Sequence, residues 1–401
     1  MTDDADRPDP VPADELLIDI GTERVIRAKI AELAPQLRVV GVDSDHRLGL
    51  TRLALADVAS ALAGLAARPG TAEAVARLRA QGSSAHLPAH PLDVLVAVLR
   101  EWSAERPAGP LTVDRTHEVS AVSSLPHVKS TVAVLAEPVD PLAGDRVPPG
   151  RPVGPRIGIA DARPFAHPDL AGRLVGEPLI SAGPFPSRLP GHATFVAGTV
   201  LRRAPSAVLV CRTVLEPSGS VPNTVWDVAR RLVGFLDDDV AVLNLSFACR
   251  TDGFRPLPLL RAAQLLAARG TVLVAAGGNT GDEAESDPAY PAAFDEVLAV
   301  GAATDDGEPA AFTPDASWLD LLAPGDGVVG PFLVGQVDAP DQVGCFPSGY
   351  AAWSGSSFAA AAVSGELARL MIERDLTAPA ARDVLLAGAV GDVRSLRPVQ
   401  G

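Results

Sequence analysis

Cysteine is scarce in this sequence: 401 residues carry three, Cys211, Cys249 and Cys345, with no CxxC pair among them. An odd number cannot be fully bridged within one chain, so neither a disulfide scaffold nor a zinc site is indicated, and a reducing compartment fits this usage. Basic charge is short as well. Lysine and arginine number 34 against 49 acidic residues, a net charge of −15, so the surrounding field repels a phosphate backbone and argues against nucleic acid as a partner. The opening MTDDADRPDPVPADELL is acidic and proline-bearing, whereas a secretory signal shows a basic patch and then an apolar run. No apolar stretch reaches the roughly 18 to 20 residues of a membrane helix; even the alanine-rich run after Ser357 is broken by Glu366 and Arg369. The expectation is a cytoplasmic protein that does not engage membrane.

What the sequence does have is core material. Hydrophobic residues make up 47% and charged residues 21%, a balance that rules out a mostly disordered chain. The length exceeds what one core usually holds, which predicts two domains. Apolar runs at Glu15 to Ile20 and Leu37 to Val42 flank a helical stretch from Thr22 to Leu33, a β-α-β opening. Leu53 to Ala67 and Leu92 to Trp102 read as helices. Residues 1–136 are thus predicted to form a small α/β domain with no catalytic cluster. The stretch EPVDPLAGDRVPPGRPVGP, residues 137–155, is too rich in proline and glycine for helix or sheet and is predicted to be a linker.

From 156 to 401 short apolar runs alternate with helical stretches, the pattern of a mostly parallel sheet with helices on both faces. Strands are predicted at Arg156 to Ala160, Ala207 to Val214, Ala241 to Phe247, Thr271 to Ala276 and Glu296 to Ala302, with helices near Asn223 to Phe235 and Leu259 to Ala268. No internal repeat is evident. In such sheets reacting groups collect where strands end and helices begin. Asp161 closes the strand RIGIAD, His192 opens the helical stretch HATFVAGTVL, and Ser357 opens SFAAAAVSGELARLM. A serine hydroxyl needs a neighbouring base to attack at neutral pH, and that imidazole needs a carboxylate to hold its tautomer.

Here a resemblance becomes specific. HATFVAG resembles the His-Gly-Thr-His-Val-Ala-Gly box of the subtilases, and GSSFAAAAVSG resembles their Gly-Thr-Ser-Met-Ala box, in the order Asp, His, Ser. VLVAAGGNTG resembles the segment presenting the family's oxyanion asparagine, YPAAFDEVLAVGA and LDLLAPG the segments after it, and HPDLAGRL the segment after the catalytic aspartate. The likeness covers roughly Arg156 to Met371. It implies a subtilisin-like fold and a serine endopeptidase: Ser357 as nucleophile, His192 as base, Asp161 orienting it, and Asn279 at the oxyanion with the Ser357 N–H. LNLSFAC resembles the strand lining the peptide cleft, so a peptide or protein substrate is expected to add as a strand beside Ser246, Phe247 and Ala248 and near Ala276, Gly277 and Gly278. The resemblance implies no redox cofactor or metal for chemistry, and it makes residues 1–136 a propeptide or a lasting regulatory module.

The sequence also departs from the family pattern. Ala162-Arg163 follows Asp161 where Ser or Thr then Gly is usual, Phe195 stands where a second histidine is common, Phe358 replaces Met, and Ala361-Ala362 replaces a Pro-His pair. Ala248 and Cys249 add side chains where glycine lets a substrate backbone approach. These departures motivate a rival reading, a catalytically silent peptide-binding scaffold. His167, before a proline, reads as a turn residue, and His46, His86, His90, His117 and His127 lack metal-ligand spacing. Carboxylates cluster at 281–287, GDEAESD. The family often binds calcium, yet no EF-hand-like spacing indicates a site there.

Overall fold

The structure is a computed structural model describing residues 14–80, 90–121, 135–183, 185, 187–216, 223–251, 255–281, 288–339, 342–388 and 397–398. The acidic 281–287 cluster beyond Gly281, together with His86 and His127, lies outside the described residues. Two compact units emerge. One comprises residues 1–118 with 219–230 and 250–261, the other 119–218, 231–249 and 262–401.

In the first unit, strand β1 (Glu15–Asp19) leads into helix α1 (Glu23–Leu33) and strand β2 (Arg38–Asp45). Sequence periodicity predicts one helix over Leu53 to Ala67, but the structure divides this stretch into strand β3 (Leu50–Ala56) and helix α2 (Val58–Ala66). The break falls at Asp57, whose φ of 60° is left-handed, so the chain cannot run through as one helix. Helices α3 (Thr71–Ala80) and α4 (Pro91–Ala104) and strand β4 (Val113–Arg115) complete it. The sheet order is β2-β3-β1-β4, all antiparallel, so the β-α-β opening does not form a parallel pair. Arg230 ion-pairs with Asp43 at 2.8 Å, and Arg261 donates to the Leu48 carbonyl at 3.0 Å, joining the later segments of this unit to its sheet.

Strand β5 (Glu118–Ala121) is followed by β6 (Glu137–Pro138), inside the predicted linker. Next come β7 (Arg156–Asp161), β8 (Leu174–Gly176), helix α5 (Leu189–Arg203), β9 (Val208–Thr213), β10 (Asn223–Thr224) and helix α6 (Val225–Leu232). Strands β11 (Val242–Leu245) and β12 (Phe247–Arg250), helix α7 (Leu257–Ala267), and strands β13 (Val272–Ala276), β14 (Ala289–Tyr290), β15 (Val297–Ala303), β16 (Leu321–Pro324) and β17 (Val328–Pro331) continue the chain. A hairpin of β18 (Gly335–Ala339) and β19 (Gln342–Phe346), then β20 (Tyr350–Trp353), helices α8 (Ser356–Arg374) and α9 (Ala378–Leu386), and β21 (Arg397–Pro398) end it.

The eight-stranded sheet of the second unit runs β21-β16-β15-β13-β11-β7-β9-β8, parallel except at β21. Its central strands are apolar runs, broken in β11 by Asn244, because both faces are covered. Strand order turns at β7, with β9 on one side and β11 on the other, the point at whose carboxyl ends sheets of this kind gather their reacting groups. Helix α8 is buried along most of its length and packs on α5 and across β11, β13 and β15. Small residues permit this approach: a β-carbon on Gly365 would lie 2.7 Å from the Val200 carbonyl of α5. Strand β6 pairs with β20, Ala351 opposite Pro138, which ties the proline-rich stretch to this unit.

Candidate active site

Asp161 is the last residue of β7, at its carboxyl end, and is 0% exposed. Its Oδ1 accepts from the Ala162 N–H at 2.7 Å. His192 lies in the first turn of α5, three residues inside the start at Leu189 rather than at the opening itself, because Pro190 initiates the helix earlier. The His192 Nδ1 stands 3.1 Å from Asp161 Oδ1 and 2.9 Å from Oδ2. Thr194, two residues on, accepts from the Phe165 N–H at 2.7 Å and so fixes α5 against the chain that follows Asp161.

Ser357 is the second residue of α8, after Gly355 and Ser356. Two hydrogen bonds bind this helix start to the chain after β13. The Ser356 N–H donates to Asn279 Oδ1 at 2.9 Å, and the Gly278 N–H donates to Ser356 Oγ at 3.1 Å. Gly278 holds φ +112°, a conformation that side chains other than hydrogen rarely adopt. The amide of Asn279 is thereby oriented by its oxygen. Ser246, between β11 and β12, faces Ser357: each hydroxyl donates to the other's main-chain carbonyl, Ser246 Oγ at 3.1 Å and Ser357 Oγ at 3.4 Å. His192 Nε2 has no hydrogen-bond partner among the described residues.

The structure therefore brings Asp161, His192, Ser357, Asn279 and Ser246 into one buried neighbourhood. Phe247 and Ala248 lie on β12, Ala276 ends β13, and Gly277 and Gly278 follow it. Strand β5 pairs antiparallel with β12, Ala121 opposite Phe247 and Ser120 opposite Ala248. A stretch of this chain thus lies along the strand proposed from sequence to receive substrate. His167 caps a short 3-10 turn through Nδ1, accepting from the Asp169 N–H at 3.2 Å. Among the described residues no group of three or more His, Cys, Asp or Glu side chains is arranged to hold a metal ion, and no helix is long and apolar enough to cross a membrane.

Sequence reasoning missed the groups that pack on the imidazole. The His192 ring meets Trp353 edge-on and Phe358 tilted, both with centroids 5.7 Å away. Phe358 and Phe195, two departures from the motif pattern, stack at 4.3 Å on each other, so one replacement fills the space the other leaves. Asn244 was missed too, although a lone amide in the apolar run VLNL is a signal of buried polar contact.

A parallel α/β sheet with a carboxylate, an imidazole and a serine gathered at its carboxyl edge is the arrangement of a serine-hydrolase class. The chain belongs to the subtilase family, whose model matches residues 166–398. It is 28% identical over 229 residues to a thermophilic serine proteinase of Bacillus sp. strain AK1, covering 54% of this chain and 52% of that protein. It is 32% identical over 229 residues to subtilisin Savinase of Lederbergia lenta, covering 54% and 75%. The chain spans about half the length of the first of these relatives. Among solved structures, a mutant of the protease domain of PatA matches with a TM-score of 0.50 at 26% identity, over 62% of this chain and 92% of that one. Fervidolysin from Fervidobacterium pennivorans, described as a keratinolytic enzyme related to subtilisin, shares the fold with a TM-score of 0.60 at 17% identity, over 96% of this chain and 58% of that one.

Proposed function

We propose that the chain is a serine endopeptidase that cleaves peptide bonds through an acyl-enzyme on Ser357. The observation that carries this reading is the buried Asp161–His192 pair, whose imidazole packs on Phe358, the residue that follows Ser357. In the reaction His192 Nε2 takes the Ser357 hydroxyl proton as Oγ attacks the carbonyl carbon of the substrate, and Asp161 holds Nδ1–H and stabilises the imidazolium. The developing oxyanion is met by the Asn279 amide and the Ser357 N–H at the start of α8, a contribution of about 3 to 4 kcal/mol for one such donor. His192 then delivers the proton to the leaving amine, and water, activated by the same imidazole, releases the acyl group.

The substrate is read as an extended peptide added to Ser246, Phe247 and Ala248 and passing Ala276 to Gly278. The pairing of β5 with β12 supports this, since it exhibits strand addition at that place. On the same reading residues 1–136 act as an inhibitory propeptide or a lasting regulatory module.

The test is to expose the purified chain and its Ser357→Ala variant to a fluorophosphonate and follow both by intact mass and peptide mapping. The expected result is one adduct, on Ser357, in the parent only. Absence of an adduct from both, while the chain still binds extended peptides, would instead establish a silent peptide-binding scaffold.

A further inference from the structure

We infer that Asn244 is a positioning residue for the nucleophile, acting through Ser246; the inference rests on the peptidase reading above. Asn244 stands in β11 at the centre of the sheet, opposite Ile159 of β7 and Val274 of β13, and is 0% exposed. Its neighbours in the strand, Val242, Leu243 and Leu245, are all apolar. An amide placed there costs free energy unless its polar atoms are satisfied.

They are satisfied in a directed chain. Ser364 Oγ donates to Asn244 Oδ1 at 3.1 Å, its proton shared with the Ala360 carbonyl at 2.9 Å. Asn244 Nδ2 donates to Ser246 Oγ at 2.8 Å, and Ser246 Oγ donates to the Ser357 carbonyl at 3.1 Å. The polarity runs one way. Because Asn244 supplies a proton to Ser246 Oγ, the single Ser246 proton is committed to the Ser357 carbonyl. The chain spans β11 to two points on α8, residues 357 and 364, one at the reacting end and the other about two turns along. It therefore sets both the height and the rotation of the helix start that carries the nucleophile and its oxyanion N–H.

An aspartate at 244 keeps the size and accepts from Ser364, but it has no proton for Ser246 when ionised. Ser246 then turns its own proton to the carboxylate and releases the Ser357 carbonyl. A leucine at 244 fills similar space and removes the polar demand altogether, so the fold is retained while the link is lost.

The experiment compares the full-length parent with Asn244→Asp, Asn244→Leu, Ser246→Ala and the Asn244→Leu/Ser246→Ala double variant. Melting temperature, fluorophosphonate labelling rate at Ser357, and kcat and KM on a peptide substrate are measured. We expect labelling and kcat to fall about 10- to 100-fold in each single variant, as small misplacements of reacting groups do, with KM within about threefold. The double variant should be no worse than the worse single one, because both break the same chain. Folded Asn244 variants that label at the parent's rate, or losses that multiply in the double variant, would overturn the role. If the parent itself is not labelled, the peptidase reading fails and this inference falls with it. A labelled parent with unaffected variants removes the Asn244 role alone.

Discussion

Ser246 and Ser357 exchange hydrogen bonds, each hydroxyl donating to the other's carbonyl, while the His192 Nε2 has no partner among the described residues. The Ser357 proton is thus seated on a carbonyl at 3.4 Å rather than on His192, the base proposed for it, a long contact that is readily given up. Catalytic hydrogen bonds commonly close only once substrate is bound. On the proposed function, an extended peptide laid along Ser246 would compete for that carbonyl and leave the imidazole as the remaining acceptor.

For His192 to accept at Nε2, its own proton must sit on Nδ1, facing Asp161. Asp161→Asn presents an amide N–H to Nδ1 and so drives the proton to Nε2, the wrong tautomer. A fall in kcat of the order of 10⁴ is expected, with little change in KM and a far smaller change in melting temperature than a folding defect gives. A variant retaining more than a tenth of the parent's kcat would show that Asp161 does not orient the base.

Asn279 carries two separable duties. Its oxygen accepts from Ser356 N–H, which is structural, and its amide nitrogen is assigned to the oxyanion. Asn279→Asp preserves the first and removes the second, whereas Asn279→Ala removes both. Each is expected to lower kcat about 10²- to 10³-fold with KM little altered, and the alanine variant should lose more thermal stability than the aspartate. Equal kcat in parent and Asn279→Asp would reassign the oxyanion donor.

The central strands and the polar residues gathered at their ends were readable from sequence for a physical reason. Strands buried on both faces must be continuously apolar, and the groups at their ends must be polar and fixed in kind, so RIGIAD and VLVAAGGN announce themselves. The β3–α2 division was not readable, because LTRLALADVASALAGLA keeps helical periodicity throughout and the break lies in the backbone of Asp57. Nor was the role of 137–155. Proline density says that a segment is irregular, but it does not say that two of its residues, Glu137 and Pro138, pair with β20. The contact of Phe195 with Phe358 was hidden for a different reason: each looked like a separate departure, and only the crossing of α5 and α8 puts them together.

That pairing of β6 bears on processing. Within the second unit, which takes up the chain at Val119, Ala121 of β5 pairs with Phe247 of β12 and Pro138 of β6 pairs with Ala351 of β20. If the chain cuts itself, the new N-terminus is therefore expected after Ala121 and before Glu137, not within 137–155. N-terminal sequencing and intact mass of the aged parent should find it there, and Ser357→Ala should remain whole. A terminus inside 139–155 would mean that the β6–β20 pair opens before cleavage.

The first unit also carries a built-in response to acid. His117 is buried, its Nε2 has no hydrogen-bond partner among the described residues, and burial, aided by the positive field of Arg115, His90 and Arg100, holds its pKa well below the usual 6.5. The native state thus binds fewer protons than the unfolded chain between that depressed value and about 6.5. Stability tied to His117 is fully present above about pH 6.5 and is lost as pH falls toward the folded pKa, by at most about 1.4 kcal/mol per pH unit. His167, whose pKa burial also lowers, adds the same sign in the second unit. Asp114 opposes them: burial raises its pKa, so its contribution grows as pH falls toward the ordinary carboxylate range. The parent is followed from pH 7.5 to 5.5, the interval that contains the ordinary imidazole pKa of about 6.5. The denaturation midpoint of the full chain should fall across it, and His117→Gln should flatten the fall while leaving the part due to His167. If His117→Gln keeps the parent's slope, the proton enters elsewhere and the buried ring does not govern the response.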